Sequence, residues 1–304
     1  MRFRLLHFNL DCNILLESSL VMKICVFIHI YYIEMLDELL SYISNLSLID
    51  DLEYDLVVTL TAHNEDIEQK LYAFKDNTQI LIVPNRGYDI APFLHATKSV
   101  NLLRYDYIIK LHTKRDLVQT SYLPFCKFNG NEWRLKLLEF MNSRENLLST
   151  FKQFELDPLV GMITSPELVI SSVKQDTVAD NKAEKIMKGM GLTLRDKNFV
   201  AGTMFIAKAS LFKIWNHLPY NAFDFDEYNP NHKGGSLAHA LERVLGFMIG
   251  AQGYKIVPYY KVGLGYKLKK LWYCFKNFIF YKRINSKGKL HIKICKIPVY
   301  SKQL

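Results

Sequence analysis

The sequence has no run of eighteen or more apolar residues without a charge, so a membrane-spanning helix is not expected. Its first twenty residues contain Asp11 and Glu17, where a secretory signal needs an unbroken apolar stretch, and a cytoplasmic location is expected. Cysteine is scarce. Cys12, Cys25, Cys126, Cys274 and Cys295 are odd in number, widely scattered and form no CxxC pair, which argues against both a disulfide framework and a zinc site. P-loop, GxGxxG, GxSxG and HExxH motifs are absent, which weighs against kinase, dehydrogenase, esterase and zinc-protease chemistry. No internal repeat or low-complexity linker divides the chain.

Of the 304 residues, 49% are hydrophobic and 23% charged, a balance that buries a real core. The net charge of +9 is unevenly placed: residues 266–304 hold eleven Lys/Arg and no Asp or Glu, leaving 28 basic against 30 acidic residues before them. In that tail "LKKLWYCFKNFIFYKR" interleaves aromatics with lysines. The composition suits the interface of an anionic membrane, though packing on the chain's own domain or stacking on single-stranded nucleic acid would also use it.

Apolar periodicity predicts alternating strands and helices. "MKICVFIHIYY" reads as a strand and "IEMLDELLSYISNL" as a helix; "YDLVVTLT" is a strand, "NEDIEQKLYAF" a helix, "TQILIVPN" a strand, "IAPFLHATKSV" a helix and "YDYIIKLHTK" a fourth strand. Strands apolar almost throughout imply an α/β fold with a mostly parallel sheet covered by helices on both faces. Further on, "NGNEWRLKLLEFMNSRENLLSTFKQFE" reads as helix, "LVGMITSP" as strand, "NFVAGTMFIAKASLFKIW" as a strand running into a helix, "SLAHALERVLGFMIGAQG" as a helix closed by Gly253, and "YKIVPYY" as a strand. Residues 22–260 are taken as one continuous domain, 1–21 as an N-terminal extension ahead of a second start at Met22, and 261–304 as a basic, aromatic tail.

Ligands of parallel sheets bind beyond the carboxyl ends of the strands, and two knots of charge fall there. In the first, Asn85-Arg86-Gly87-Tyr88-Asp89, Arg86 offers a forked donor for phosphate, Gly87 permits a tight turn, and Asp89 either serves a site or caps the next helix. In the second, Lys110, His112 and Lys114 alternate along one strand and share a face, so the cluster needs an anion or water; a diphosphate would serve. Gly202 and Thr203 are small enough to let a ligand lie against a strand, or to let the chain pack. His239, Glu242 and Arg243 share one helix face, where Glu242 reads either as a general base or as a solvated surface carboxylate.

Five stretches, "MKICVFIHIYY", "NRGYDIAPFL", "YDYIIKLHTK", "FVAGTMFIAK" and "LAHALERVLG…GY", in this order and at these spacings, resemble the rhamnan synthesis protein F family over about 22–260. These are bacterial proteins associated with assembly of rhamnose-containing and other cell-surface polysaccharides. The resemblance implies a glycosyltransferase with a GT-A-like, Rossmann-type fold, transferring a sugar, L-rhamnose from dTDP-rhamnose being the leading candidate. Its acceptor would be a lipid-linked glycan at the cytoplasmic membrane face. It assigns Asn85, Arg86, Gly87, Asp89, Lys110, His112 and Lys114 to the nucleotide-sugar donor, Gly202, Thr203 and Arg243 to the acceptor side, and Glu242 with His239 to catalysis, with Asp224, Asp226 and Glu227 as alternative bases. GT-A enzymes usually carry an Asp-x-Asp metal motif after the fourth strand, where this chain has Leu111-His112-Thr113-Lys114. No metal or other cofactor is therefore expected, although a divalent ion would be compatible with the fold, and Lys110, Lys114 and Arg86 would supply the positive charge. Expected partners are the donor, the acceptor, an anionic membrane surface and other polysaccharide-assembly enzymes, but no nucleic acid. A non-catalytic assembly or glycan-binding module of the same fold is the main alternative, and a basic nucleic-acid-binding protein the second.

Overall fold

The computed structural model describes residues 21–123, 126–171, 178–227 and 235–260, together with isolated positions between 265 and 275 and strands at 280–284, 289–294 and 297–303. Residues 1–20 of the expected 1–21 extension lie outside the described residues.

The first half follows the periodicity. Strands β1 (Met22–Ile30), β2 (Leu52–Leu60), β3 (Gln79–Ile82) and β4 (Tyr107–His112) alternate with helices α1 (Leu36–Ser44), α2 (Glu65–Phe74) and α3 (Ile90–Lys98). They pair in parallel in the order β4-β1-β2-β3. The sheet continues past β4 through β10 (Phe205–Lys208), β7 (Val160–Thr164) and β11 (Lys255–Pro258), giving seven strands of which β10 alone runs against its neighbours. Helices cover both faces. Phe93 of α3 meets Phe27 of β1 edge-on at 5.5 Å, while Tyr107, at the opposite parity of β4 from Lys110, lies 4.5 Å from Phe154 of α5 (Arg144–Leu156). The α/β reading holds.

The second half departs from it in specific ways. The long helical stretch after residue 129 is broken into α4 (Glu132–Leu138) and α5, because Ser143 adopts an extended backbone and its hydroxyl accepts the Asn146 N–H as an N-cap. Residues 117–130 contain a hairpin, β5 (Leu117–Leu123) with β6 (Cys126–Gly130), which the periodicity does not indicate. "NFVAGTMFIAK" is two strands, β9 (Asn198–Val200) and β10, split by a turn in which Gly202 and Thr203 both have positive φ (75° and 54°), and short 3₁₀ turns follow instead of a helix. Strand β8 (Val169–Ser171) pairs with β9, and α6 (Val178–Gly189) packs on α7 (Leu237–Ala251). The chain ends in a separate antiparallel sheet, β12 (Phe280–Ile284), β13 (Lys289–Ile294) and β14 (Ile297–Gln303). Among the described residues no helix is long and apolar enough to cross a membrane.

Candidate active site

A cleft of about 480 Å³ opens at the carboxyl edge of the sheet, where β1 and β4 end. Its floor comes from His29 and His112, register partners on adjacent parallel strands whose side chains therefore share a face. Asp89 enters from the start of α3, Gly202 and Thr203 from the turn before β10, and Ala238, His239 and Glu242 from α7; Tyr31, Tyr32, Tyr88 and Trp133 form aromatic walls. A smaller cleft at the opposite edge, lined by Lys23, Glu53, Asp55 and Arg104, is far from these groups along the strands.

Asp89 organises the floor. Its Oδ2 accepts Lys110 Nζ at 2.5 Å and the Thr203 hydroxyl at 2.5 Å, and it does not cap α3 with its side chain. The anion that the basic cluster requires is thus a carboxylate of the same chain. Lys110 donates in addition to the carbonyl and hydroxyl oxygens of Thr203, at 3.1 and 2.9 Å, which uses all three of its hydrogens, and its ammonium sits 5.3 Å from the Phe93 ring centre. With 1% exposure it is not offered to a ligand. Burial would raise the Asp89 carboxyl, but His112, Lys110 and the hydrogen bonds from Lys110 and Thr203 outweigh it and hold it well below the ordinary carboxylate range. Burial also pushes His112 down to about 3 and His29 to about 4, so both imidazoles are neutral at pH 7 and Lys110 is the charge that keeps Asp89 ionised.

Glu242 is set the opposite way. Burial raises its carboxyl above the ordinary value, with Arg243 opposing and Asp89 adding to the rise. One oxygen accepts the Gly202 N–H at 3.3 Å and the other accepts Arg243 at 2.7 Å. Two carboxyls in one cleft with their ionisations pushed apart can divide acid–base roles between them, Asp89 as a fixed anion and poor base and Glu242 as a better one. His239 accepts or donates through Nδ1 to Ser236 Oγ at 2.6 Å and stands edge-on to Tyr88.

The turns that deliver these groups are conformationally demanding. Gly87 and Tyr88 have φ of 68° and 55°, and a Cβ on Gly87 would lie 2.5 Å from the Phe225 ring. Gly202 repeats the theme against Leu137. Thr113, after β4, accepts the backbone N–H groups of Tyr31 and Tyr32 at 3.0 and 2.9 Å and so fixes that aromatic wall.

Of the expected site residues, Asn85, Asp89, His112, Lys114, Gly202, Thr203, His239 and Glu242 line the cleft. Four are placed elsewhere. Lys110 is buried beneath the floor on its internal partners. Arg86 bonds the Phe225 carbonyl at 3.1 Å and Glu227 at 2.5 Å, clipping residues 225–227 onto the first knot instead of facing a phosphate. Gly87 shapes that turn without lining the cleft, and Arg243 lies behind Glu242, 3.6 Å from Asp180. The alternative bases do not line it either: Asp224 caps its own 3₁₀ turn, the backbone of Asp226 accepts the Gly87 N–H, and Glu227 is the partner of Arg86. Sequence reasoning misses His29, Tyr31, Tyr32 and Trp133 and gives Tyr88, though inside the first knot, no role; a histidine inside an apolar strand and single aromatics carry no local signal of a cleft.

Among the described residues no group of three His, Cys, Asp or Glu side chains could hold a divalent ion by itself, and the carboxylates of the cleft already bond Lys110, Thr203, Gly202 and Arg243.

The fold is that of an α/β domain with its cleft at the carboxyl edge. The chain matches the family described as RgpF, rhamnan synthesis protein F, over residues 6–254, and belongs to that family. Protein WxcX of Xanthomonas campestris pv. campestris (strain B100) is 27% identical over 241 residues, 76% of this chain and 32% of its own length, so the chain spans about a third of that relative. Among solved structures, TarS residues 1–349 of S. aureus aligns over 78% of this chain and 58% of its own, at 11% identity and a TM-score of 0.41. Glucosyl-3-phosphoglycerate synthase of Mycobacterium tuberculosis, solved with Mn²⁺, UDP-glucose and phosphoglyceric acid, aligns over 92% and 89% at 10% identity and a TM-score of 0.40.

Proposed function

We propose that the chain is a glycosyltransferase unit that moves a sugar from a nucleotide-sugar donor to a glycan hydroxyl. The observation that carries this reading is Glu242: a half-buried carboxyl of raised pKa, steadied by Arg243 and Gly202, facing a cleft whose floor holds two imidazoles and whose rim holds Lys114. In the transfer, Glu242 accepts the proton of the acceptor hydroxyl as its oxygen bonds to the anomeric carbon. The bond from that carbon to the diphosphate breaks, and its electron pair leaves with the nucleoside diphosphate. Lys114 attracts the diphosphate, and the aromatic walls, Tyr31, Tyr32, Tyr88 and Trp133, suit nucleobase and sugar faces.

Membership of a rhamnan synthesis family favours dTDP-L-rhamnose as donor and a lipid-linked polysaccharide as acceptor at the cytoplasmic membrane face. The tail supports a membrane-side location. Leu268, Leu271, Trp272 and Phe275, spaced three and four apart at helical positions, are all more than half exposed, in a segment with eleven cations and no acid. The decisive experiment is a panel of UDP-, GDP- and dTDP-sugars scored by thermal midpoint, since a ligand that binds the native state raises it by mass action. A rise with at least one donor, largest for dTDP-rhamnose, is expected. No rise with any donor at millimolar concentration would refute the reading.

A further inference from the structure

The countercharge in the cleft is nearly all internal. Lys110 is neutralised by Asp89, and Arg243 by Glu242 and Asp180, so among the described residues that line the cleft Lys114 is the one Lys or Arg left to meet a diphosphate. A diphosphate brings at least two negative charges into a site that is only partly open to water, and the carboxylates present form no metal group among the described residues. Two titratable groups remain on the floor, His29 and His112, each more than nine-tenths buried.

Their hydrogen bonding leaves them ready to change charge. The Thr59 hydroxyl donates to the Ile28 carbonyl at 3.2 Å, so it accepts from His29 Nδ1–H at 3.0 Å, which makes Nε2 the unprotonated nitrogen of His29. Nδ1 of His112 is buried, has no hydrogen-bond partner, and lies 3.6 Å from Asp89 Oδ2. The charged and titratable groups around the pair are Asp89 at the start of α3, Lys110 on β4, Lys114 after β4, the tyrosines Tyr31, Tyr32 and Tyr88, and His239 and Glu242 of α7, which line the same cleft, while His29 itself opposes protonation of His112.

We infer that the His29–His112 pair takes up a proton when a nucleoside diphosphate occupies the cleft, so that an imidazolium supplies part of the positive charge opposite the leaving group. The inference rests on the nucleotide-sugar reading given above. Without ligand, burial keeps both rings neutral, with Asp89 pulling toward protonation and Lys110 opposing it. The negative charge of a bound diphosphate attracts the imidazolium form of either ring and so opposes the burial that keeps them neutral. His112 is the better placed of the two, since its ring lies 3.6 Å from Asp89 Oδ2, whose negative charge favours the imidazolium.

The test is calorimetric binding of UDP, GDP and dTDP to the full chain with EDTA present, at pH 7.5, in phosphate and in Tris, whose different ionisation heats reveal proton exchange. The expected result is uptake of about 0.5–1 proton per nucleotide, with the dissociation constant rising by up to about tenfold per pH unit between pH 7 and 8.5, above the phosphate's own ionisation near 6. In His112→Gln the uptake falls by half or more and the pH dependence flattens. His29→Gln and Glu242→Gln are measured alongside, and uptake that persists in both histidine variants but is lost in Glu242→Gln overturns the inference. Binding whose heat is the same in both buffers overturns the inference while leaving the donor reading intact. Absence of nucleotide binding at any pH overturns both.

Discussion

Replacing Lys110 by Met separates two readings of the basic cluster. If the ammonium were a phosphate ligand, as its place in the sequence suggests, the variant would fold normally and lose nucleotide affinity. The structure predicts the reverse emphasis. Lys110 makes all three of its hydrogen bonds inside the protein, and its removal leaves Asp89 with the Thr203 hydroxyl alone. Breaking a buried ion pair costs ~3–5 kcal/mol; because the Asp89 side chain is 19% exposed, the lower end, about 3 kcal/mol, applies. At roughly 2–4 °C per kcal/mol for a domain of this size, the thermal midpoint should fall by about 6–12 °C. Adding Asp89→Asn removes the uncompensated charge, so the double variant should be more stable than the sum of the single losses implies, with a coupling of ~0.5–3 kcal/mol. The assay is the midpoint of each variant by calorimetry, with nucleotide affinity measured on the same preparations. A Lys110→Met protein less than about 1 kcal/mol below wild type, yet with affinity reduced tenfold or more, would refute the internal-pair account.

The buried histidines give the fold an acid limit: their native pKa values, about 4 and 3, lie below the ordinary 6.5, so the unfolded chain binds more protons, and stability present above pH 6.5 is lost as pH falls. At pH 5 each should cost up to ~2 kcal/mol, and a midpoint that stays constant from pH 7.5 to 5 would contradict their burial. Gly202→Ala places a methyl 2.5 Å from Leu137 Cδ2 at a φ of 75°, and should cost ~1–3 kcal/mol by thermal denaturation while disturbing the Gly202 N–H bond to Glu242; an unchanged midpoint would count against the turn geometry. Cosedimentation of the full chain and a 1–265 truncation with liposomes of rising anionic content should show salt-sensitive binding for the full chain alone, and equal binding by both would end the membrane role of the tail.

The parallel half of the sheet is legible because its strands are apolar on both faces and separated by helices of clear period. The cleft is legible only by location. Both knots are recognisable as unusual, but their meaning depends on contacts that no spacing encodes: Lys110 finds Asp89 21 residues away and Thr203 93 residues away. A cation held by an internal carboxylate and a cation awaiting a ligand look identical in sequence. Arg86 misleads for the same reason, its partners lying 139 and 141 residues downstream. His29 is invisible because a histidine at the end of an apolar strand reads as core, and the turn at 201–204 is hidden by its apolar flanks, which continue a strand pattern across it. Three-residue spacing does put His239 and Glu242 on one helix face, and both line the cleft, but spacing alone reads that face equally as solvated surface, and the base role comes from the family resemblance.

The role of Glu242 is the most exposed part of the account, and Glu242→Gln tests it most directly because the amide keeps the size of the side chain but cannot accept a proton. Using the donor that most raises the thermal midpoint, transfer should fall by ~10²-fold or more while the donor dissociation constant stays within a few-fold of wild type, and the wild-type rate should rise with pH through an ionisation above the ordinary 4.5. Turnover within a few-fold of wild type would contradict the assignment of Glu242 as the base and, with it, the chemistry assigned to the cleft.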